Sequence, residues 1–276
     1  MPPMNKRLEA VGAIVGTAAF AVLLTAIVSG VWAGLLAANL ASTPAIPWSA
    51  GAMAIVLWAI WSILGGKWGQ TRSREARRAL LRGSALSPSL FVWAVIAGVL
   101  WIAFLVGFWI VLHQLVATPS NPLPDFSKLP VATVLVSLVA ASVAGAVSEE
   151  AGFRGYFQGT LERCGLGPSA IAVSALVMSP EHALTQGFVW PTLLFYLLVD
   201  GMLGSLAYLT KSILPGIVVH AIGLLTFFAF VWPTDRDRSL VAIENADPGI
   251  WIEAAGAGVF ALLSILAVRR VARLAR

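Results

Sequence analysis

Long unbroken apolar runs, rather than amphipathic periods, set the pattern of this chain. Residues 11–41, 48–66 and 90–112 contain no charged side chain. A membrane span needs ~20 apolar residues, so each run predicts a transmembrane helix. Five later runs are apolar but interrupted. Residues 131–147 end at an acidic pair, 168–184 carry Glu181 and His182, and 188–210 carry Asp200. Residues 213–232 carry His220, and 250–268 carry Glu253. The pattern therefore predicts an all-α polytopic membrane protein of about eight transmembrane helices in a single bundle, each helix satisfying its own backbone in lipid. Residues 1–276 read as one integral membrane domain, with no internal repeat and no soluble domain. The longest polar connection, residues 67–89, is short enough for a loop or a surface helix. The first run is too long for a secretory signal and lacks a small-residue cleavage pattern, so it reads as a retained span.

Composition agrees with this solvent. The chain is 59% hydrophobic and 11% charged, with a mean hydropathy of +0.87, too apolar for one water-soluble core. The single cysteine, Cys164, excludes an intrachain disulfide.

Charge adds orientation. Lys6 and Arg7 precede the first run, and Lys67, Arg72, Arg74, Arg77, Arg78 and Arg82 follow the second. Arg269, Arg270, Arg273 and Arg276 follow the last. With Arg163 and Lys211, one side collects 14 of the 18 Lys and Arg, while Lys128, Arg236 and Arg238 fall on the other. The positive-inside rule then puts both termini in the cytoplasm, as an even number of spans requires. The basic sequence pI of about 9.9 follows from that asymmetry. Its partner is the lipid bilayer, and no nucleic acid is expected.

The chemistry is concentrated at Ser148-Glu149-Glu150-Ala151-Gly152-Phe153-Arg154-Gly155-Tyr156-Phe157, directly after an apolar run. If that helix continues to about Glu162 and turns at residues 164–168, Glu150 and Arg154 are an i, i+4 pair in the favourable order. Adjacent residues diverge by ~100° around a helix, so Glu149 faces elsewhere and is left unneutralised. Glu149 lies 17 residues before Leu166 and His182 lies 16 after it, so two antiparallel helices bring them to one depth. His220 lies 8 residues past the turn at Lys211 and Ser212. At 1.5 Å per residue its depth is ~12 Å against ~24 Å, so the three meet only if the first hairpin protrudes. The span from 131 to 162 is ~48 Å as a helix, longer than the ~30 Å hydrocarbon core, which permits it.

Such a cluster suits peptide hydrolysis. A glutamate in a partly dehydrated cavity can take a proton from water near neutral pH, and a histidine can orient that water. No GxSxG and no HExxH is present, and Cys164 sits in the turn, so serine, cysteine and standard zincin readings lack their signatures. Each residue also has a plainer role. Glu149 can be an interfacial carboxylate, His182 a polar residue beside Pro180, and His220 an interhelical hydrogen-bonding group. His113 reads as interfacial. Asp200 is an intramembrane acid and so a functional candidate by default, but it occupies no motif position.

EEAGFRGYF resembles the EExxxR motif of the CAAX-protease and bacteriocin-processing family of intramembrane proteases. MSPEH resembles the family's FxxxH, and DGMLGSLAYLTKSILPGIVVHAIGLL resembles its glycine-containing helix with the final HxxxN or HxxxD motif. The likeness covers residues 131–228, the catalytic core it implies. It implies an intramembrane endopeptidase in which Glu149 and His182 activate water and His220 helps to stabilise the oxyanion. Glu150 and Arg154 would support them. It implies a membrane-associated peptide or protein substrate, as in removal of the last three residues of prenylated CAAX proteins, and a bacterial cytoplasmic membrane. Met178 replaces the usual Phe of the second motif. Leu224 replaces the Asn or Asp of the last, removing one expected donor. The leading reading needs no metal or other cofactor. Two alternatives remain: a metalloprotease in which Glu149, His182 and His220 hold Zn²⁺, and a non-enzymatic scaffold of protease ancestry, which Leu224 favours.

Overall fold

The computed structural model describes residues 4–117, 129–237, 240–241 and 248–276, and among these it contains helices and no strand. In chain order they are α1 (Met4–Ser42), α2 (Trp48–Leu64), α3 (Arg74–Leu81), α4 (Pro88–Leu115), α5 (Val131–Leu166), α6 (Ser169–Gln186), α7 (Trp190–Thr210), α8 (Leu214–Thr226) and α9 (Pro248–Leu274). All but α3 lie where a span was expected, and α3 is the surface helix of the 67–89 connection.

The polytopic helical bundle is as expected, and among the described residues six of its helices meet the length and hydropathy of a span: α1, α4, α5, α7, α8 with its extension, and α9. The 17-residue α2 is a shorter apolar helix, ~25 Å at 1.5 Å per residue against a ~30 Å core. Helix α6 is interrupted by the polar run Ser179-Pro180-Glu181-His182.

The outside of the bundle is apolar, and its inside holds a cluster of ionisable side chains among apolar ones. Leu23 and Ile27 of α1, Ile55 of α2, Leu135 of α5, Leu176 of α6 and Leu262 of α9 are exposed, while Glu150, Arg154, Gln158, Asp200 and His220 are buried. This inversion fits a protein whose solvent is hydrocarbon, where ionisable side chains turn to the bundle interior. Of the basic residues assigned to the opposite side, Lys128 and Arg238 lie outside the described residues, as does the side chain of Arg236.

Helix α5 organises the site. It continues past the acidic pair, as the sequence predicts, and turns over at Gly165 (φ 91°) and Gly167 (φ 54°). Both angles lie in the left-handed region that glycine adopts without strain. The extension is covered rather than bare. Tyr156 donates its hydroxyl to the Leu64 carbonyl at the end of α2 (3.0 Å), and Arg82, just past α3, bridges Glu162 with two bonds of 3.0 and 2.6 Å. The extension is thereby tied to the end of α2 at Tyr156 and to the residue just past α3 at Glu162.

Candidate active site

The helical register changes where the motif begins. Glu150–Phe157 is π-helical, an i→i+5 turn that frequently marks functional sites. All eight of its residues are buried.

Arg154 is placed between two acids. Its Nε lies 3.5 Å from Glu150 Oε1, while Nη2 bonds Asp200 Oδ1 of α7 at 2.6 Å. Ser179 adds a bond to Asp200 Oδ2 at 3.2 Å, and Nη1 contacts the Met178 sulfur. The expected Glu150–Arg154 pair is present, and Arg154 makes a further, shorter contact to Asp200, a residue the motif did not include. A planar guanidinium has several donors and serves two carboxylates at once.

Glu150 instead spends its closer contact on His220. His220 Nδ1 stands 3.1 Å from Glu150 Oε1, and its Nε2 lies 3.4 Å from Glu149 Oε2. One imidazole therefore spans the two adjacent carboxylates. Gly216 makes this possible, since a Cβ there would lie 2.6 Å from Glu150 Oε2. One turn before His220, the smallest residue lets the carboxylate approach the helix backbone.

His182 completes the group. Its Nε2 is 4.0 Å from Glu149 Oε2, and its ring stacks on Tyr196 with centroids 3.9 Å apart and planes 13° apart. The sequence-predicted Glu149, His182 and His220 are therefore brought together. Glu149 Oε2 is buried and has no hydrogen-bond partner among the described residues, although two imidazole nitrogens face it.

These three side chains open on one cavity of about 360 Å³. Its other walls are mostly apolar and aromatic, including Trp101, Phe195, Phe227 and Trp232. Leu224 is among them, and Gly145 relates it to the acid: a Cβ on Gly145 would lie 3.0 Å from Leu224 Cδ1 and 3.6 Å from Glu149 Oε1. An aliphatic group thus stands beside the carboxylate where the resemblance expects an amide or acid. Among the described residues, no three His, Cys, Asp or Glu side chains are grouped so as to hold a metal ion. Cys164 is exposed in the turn, and His113 is buried far along α4.

Residues 131–225 match the family model described as Type II CAAX prenyl endopeptidase Rce1-like. This segment is similar to that family. It runs from the start of α5 to near the end of α8 and covers about a third of the chain. Every residue of the cluster lies within the matched segment, Asp200 and Leu224 included, whereas α1 to α4 and α9 lie outside it. No curated protein and no solved structure matches the chain significantly. The match supports a CAAX-type intramembrane protease, and with the apolar helices it describes an integral membrane protein.

Proposed function

We propose that this protein is a glutamate-type intramembrane endopeptidase acting on a membrane-associated CAAX-like peptide. The observation that carries the reading is Glu149 Oε2, buried without a hydrogen-bond partner at the wall of a largely apolar cavity, 3.4 and 4.0 Å from two imidazole nitrogens.

In this reading Glu149 and His182 hold a water between them. The water oxygen bonds to the scissile carbonyl carbon while its proton passes to Glu149, and the carbonyl π electrons move to oxygen. The intermediate collapses by breaking the C–N bond, and the proton held by Glu149 goes to the departing amine. His220 is the donor to the oxyanion. Glu150 is an acceptor only, so Nδ1 carries a proton toward it, and His220 donates to the oxyanion from Nε2 as the doubly protonated imidazolium, flanked by the Glu149 and Glu150 carboxylates. Arg154, shared between Glu150 and Asp200, fixes the carboxylate that fixes the imidazole. Leu224 contributes no donor, so oxyanion stabilisation falls more heavily on His220. It also favours the scaffold alternative, which predicts no turnover at all.

The test is cleavage of a fluorescent S-farnesylated CAAX peptide by protein in proteoliposomes. Release of the last three residues, unchanged after thorough chelation, is the expected result. Loss of activity on chelation with recovery on added zinc contradicts the metal-independent mechanism, and no cleavage across a broad peptide panel supports the scaffold.

The orientation proposal is that both termini and the α3 connection face the cytoplasm, in a bacterial cytoplasmic membrane. Cysteine labelling of residues 67–89 from inside only is expected, and labelling from outside overturns it.

A further inference from the structure

Two residues that line the cavity, Trp232 and Gln186, have no part in the mechanism above. Beyond α8 the chain winds through a π turn (Phe227–Val231) into a 3₁₀ turn (Trp232–Asp237). Trp232 is buried and lines the cavity, yet its indole Nε1 has no hydrogen-bond partner among the described residues. Gln186, the last residue of α6, stands at i+4 from His182 and so on the same face. It lines the same cavity and hydrogen-bonds to Tyr196, while its Oε1 is buried and unpartnered. Trp101 supplies the contrast, since it lines the same cavity but gives its indole N–H to the Leu198 carbonyl at 3.1 Å.

An indole N–H can only donate and an amide oxygen can only accept. Leaving either buried and unpaired is unfavourable, so each needs a reason. One orphan of each kind in a largely apolar cavity suits an occupant that offers both a carbonyl and an N–H. A peptide backbone offers both, whereas an isoprenoid or acyl chain offers neither.

We infer that Trp232 and Gln186 are substrate-binding residues: Trp232 Nε1 donates to a backbone carbonyl, and Gln186 Oε1 accepts from a backbone N–H, of an extended peptide lying beside Glu149. The inference rests on the peptidase reading and deepens it. It also relocates carbonyl recognition. Leu224 offers no donor, and Trp232, eight residues further along the same stretch, supplies one.

The test measures binding, so that it stands apart from turnover. Glu149→Gln protein in proteoliposomes is titrated with the fluorescent S-farnesylated CAAX peptide, and with farnesyl-cysteine methyl ester as a probe lacking peptide bonds. Trp232→Phe keeps an aromatic ring against Phe227 and Phe228, and Gln186→Leu keeps the bulk. Each is expected to weaken peptide binding about three- to tenfold, the worth of one neutral hydrogen bond, and to leave binding of the ester unchanged. N-methylation along the peptide backbone should reveal one position that weakens binding to the parent but not to Gln186→Leu. Undiminished peptide affinity in both variants overturns the inference, as does equal weakening of peptide and ester, which marks a packing role. If Trp232→Phe does not fold, the Gln186→Leu and N-methyl arms decide. Peptide binding that depends on both residues, in a wild type that never cleaves, upholds this inference while removing the peptidase reading. No peptide binding by folded protein overturns both.

Discussion

Helix α5 carries two ionic clusters along its length, and they are built to opposite specifications. At its far end Glu162 receives two bonds from Arg82 (3.0 and 2.6 Å), one from Lys211 (2.9 Å) and one from Gln158 (3.1 Å). Cations outnumber the acid there, and both of its oxygens are served. Three turns earlier, Glu149, Glu150 and Asp200 share Arg154 and His220, and the Oε2 atoms of both glutamates have no hydrogen-bond partner. The first cluster is a clamp that ties the end of α3 and the α7–α8 turn to the end of α5. The second retains acceptors with no hydrogen-bond partner among the described residues. A fully bonded carboxylate holds structure, and one left with open lone pairs beside a cavity is available for chemistry.

The contrast can be broken by substitution. The largest loss of stability is expected from Arg154→Met, which strands Glu150 and Asp200 in the interior. Breaking a buried ion pair costs about 3–5 kcal/mol. Glu150→Gln should be milder, about 1–3 kcal/mol, because Arg154 keeps Asp200 and an amide can still meet His220. Thermal melting in detergent orders the two, and the reverse order means that Asp200 is not the principal partner of Arg154.

At the other cluster, Arg82→Ala should lose about 1–3 kcal/mol, since the Arg82 and Glu162 side chains are only 9% and 10% exposed. Lys211 is 60% exposed on its side chain, so Lys211→Ala should lose no more than about 0.2–1 kcal/mol. Only the Lys211 contribution should fade on raising salt. Neither substitution is expected to abolish cleavage. If Lys211→Ala matches Arg154→Met, the two clusters do not differ in the way described.

Much of this was legible in the residues, for reasons that can be stated. Uncharged runs report helices because lipid leaves the backbone no other choice, and the Gly165 and Gly167 turn reports where α5 ends. The approach of Glu149, His182 and His220 followed from counting along two hairpins. What the sequence could not display was the π register of Glu150–Phe157, since no composition rule marks a change from i→i+4 to i→i+5 bonding. Nor does the motif's spacing display the second partner of Arg154, Asp200, which comes from another helix. Asp200 did carry a signal, an acid in the middle of an apolar helix, and that signal deserved more weight than its lack of a motif position. The bridging role of His220 depends on Gly216, whose significance is visible only once Glu150 is seen against it. The number of spans is least legible at α2 and α6, where length and polarity are marginal.

The comparison between the two clusters comes down to whether Glu149 is the base. Glu149→Gln keeps the side chain's shape and removes its ability to take a proton, and no ion pair of Arg154 depends on it. In proteoliposomes, with melting recorded alongside, cleavage of the S-farnesylated CAAX peptide should fall by about 10²–10⁴-fold while the protein stays folded. Full turnover by well-folded Glu149→Gln contradicts the assignment.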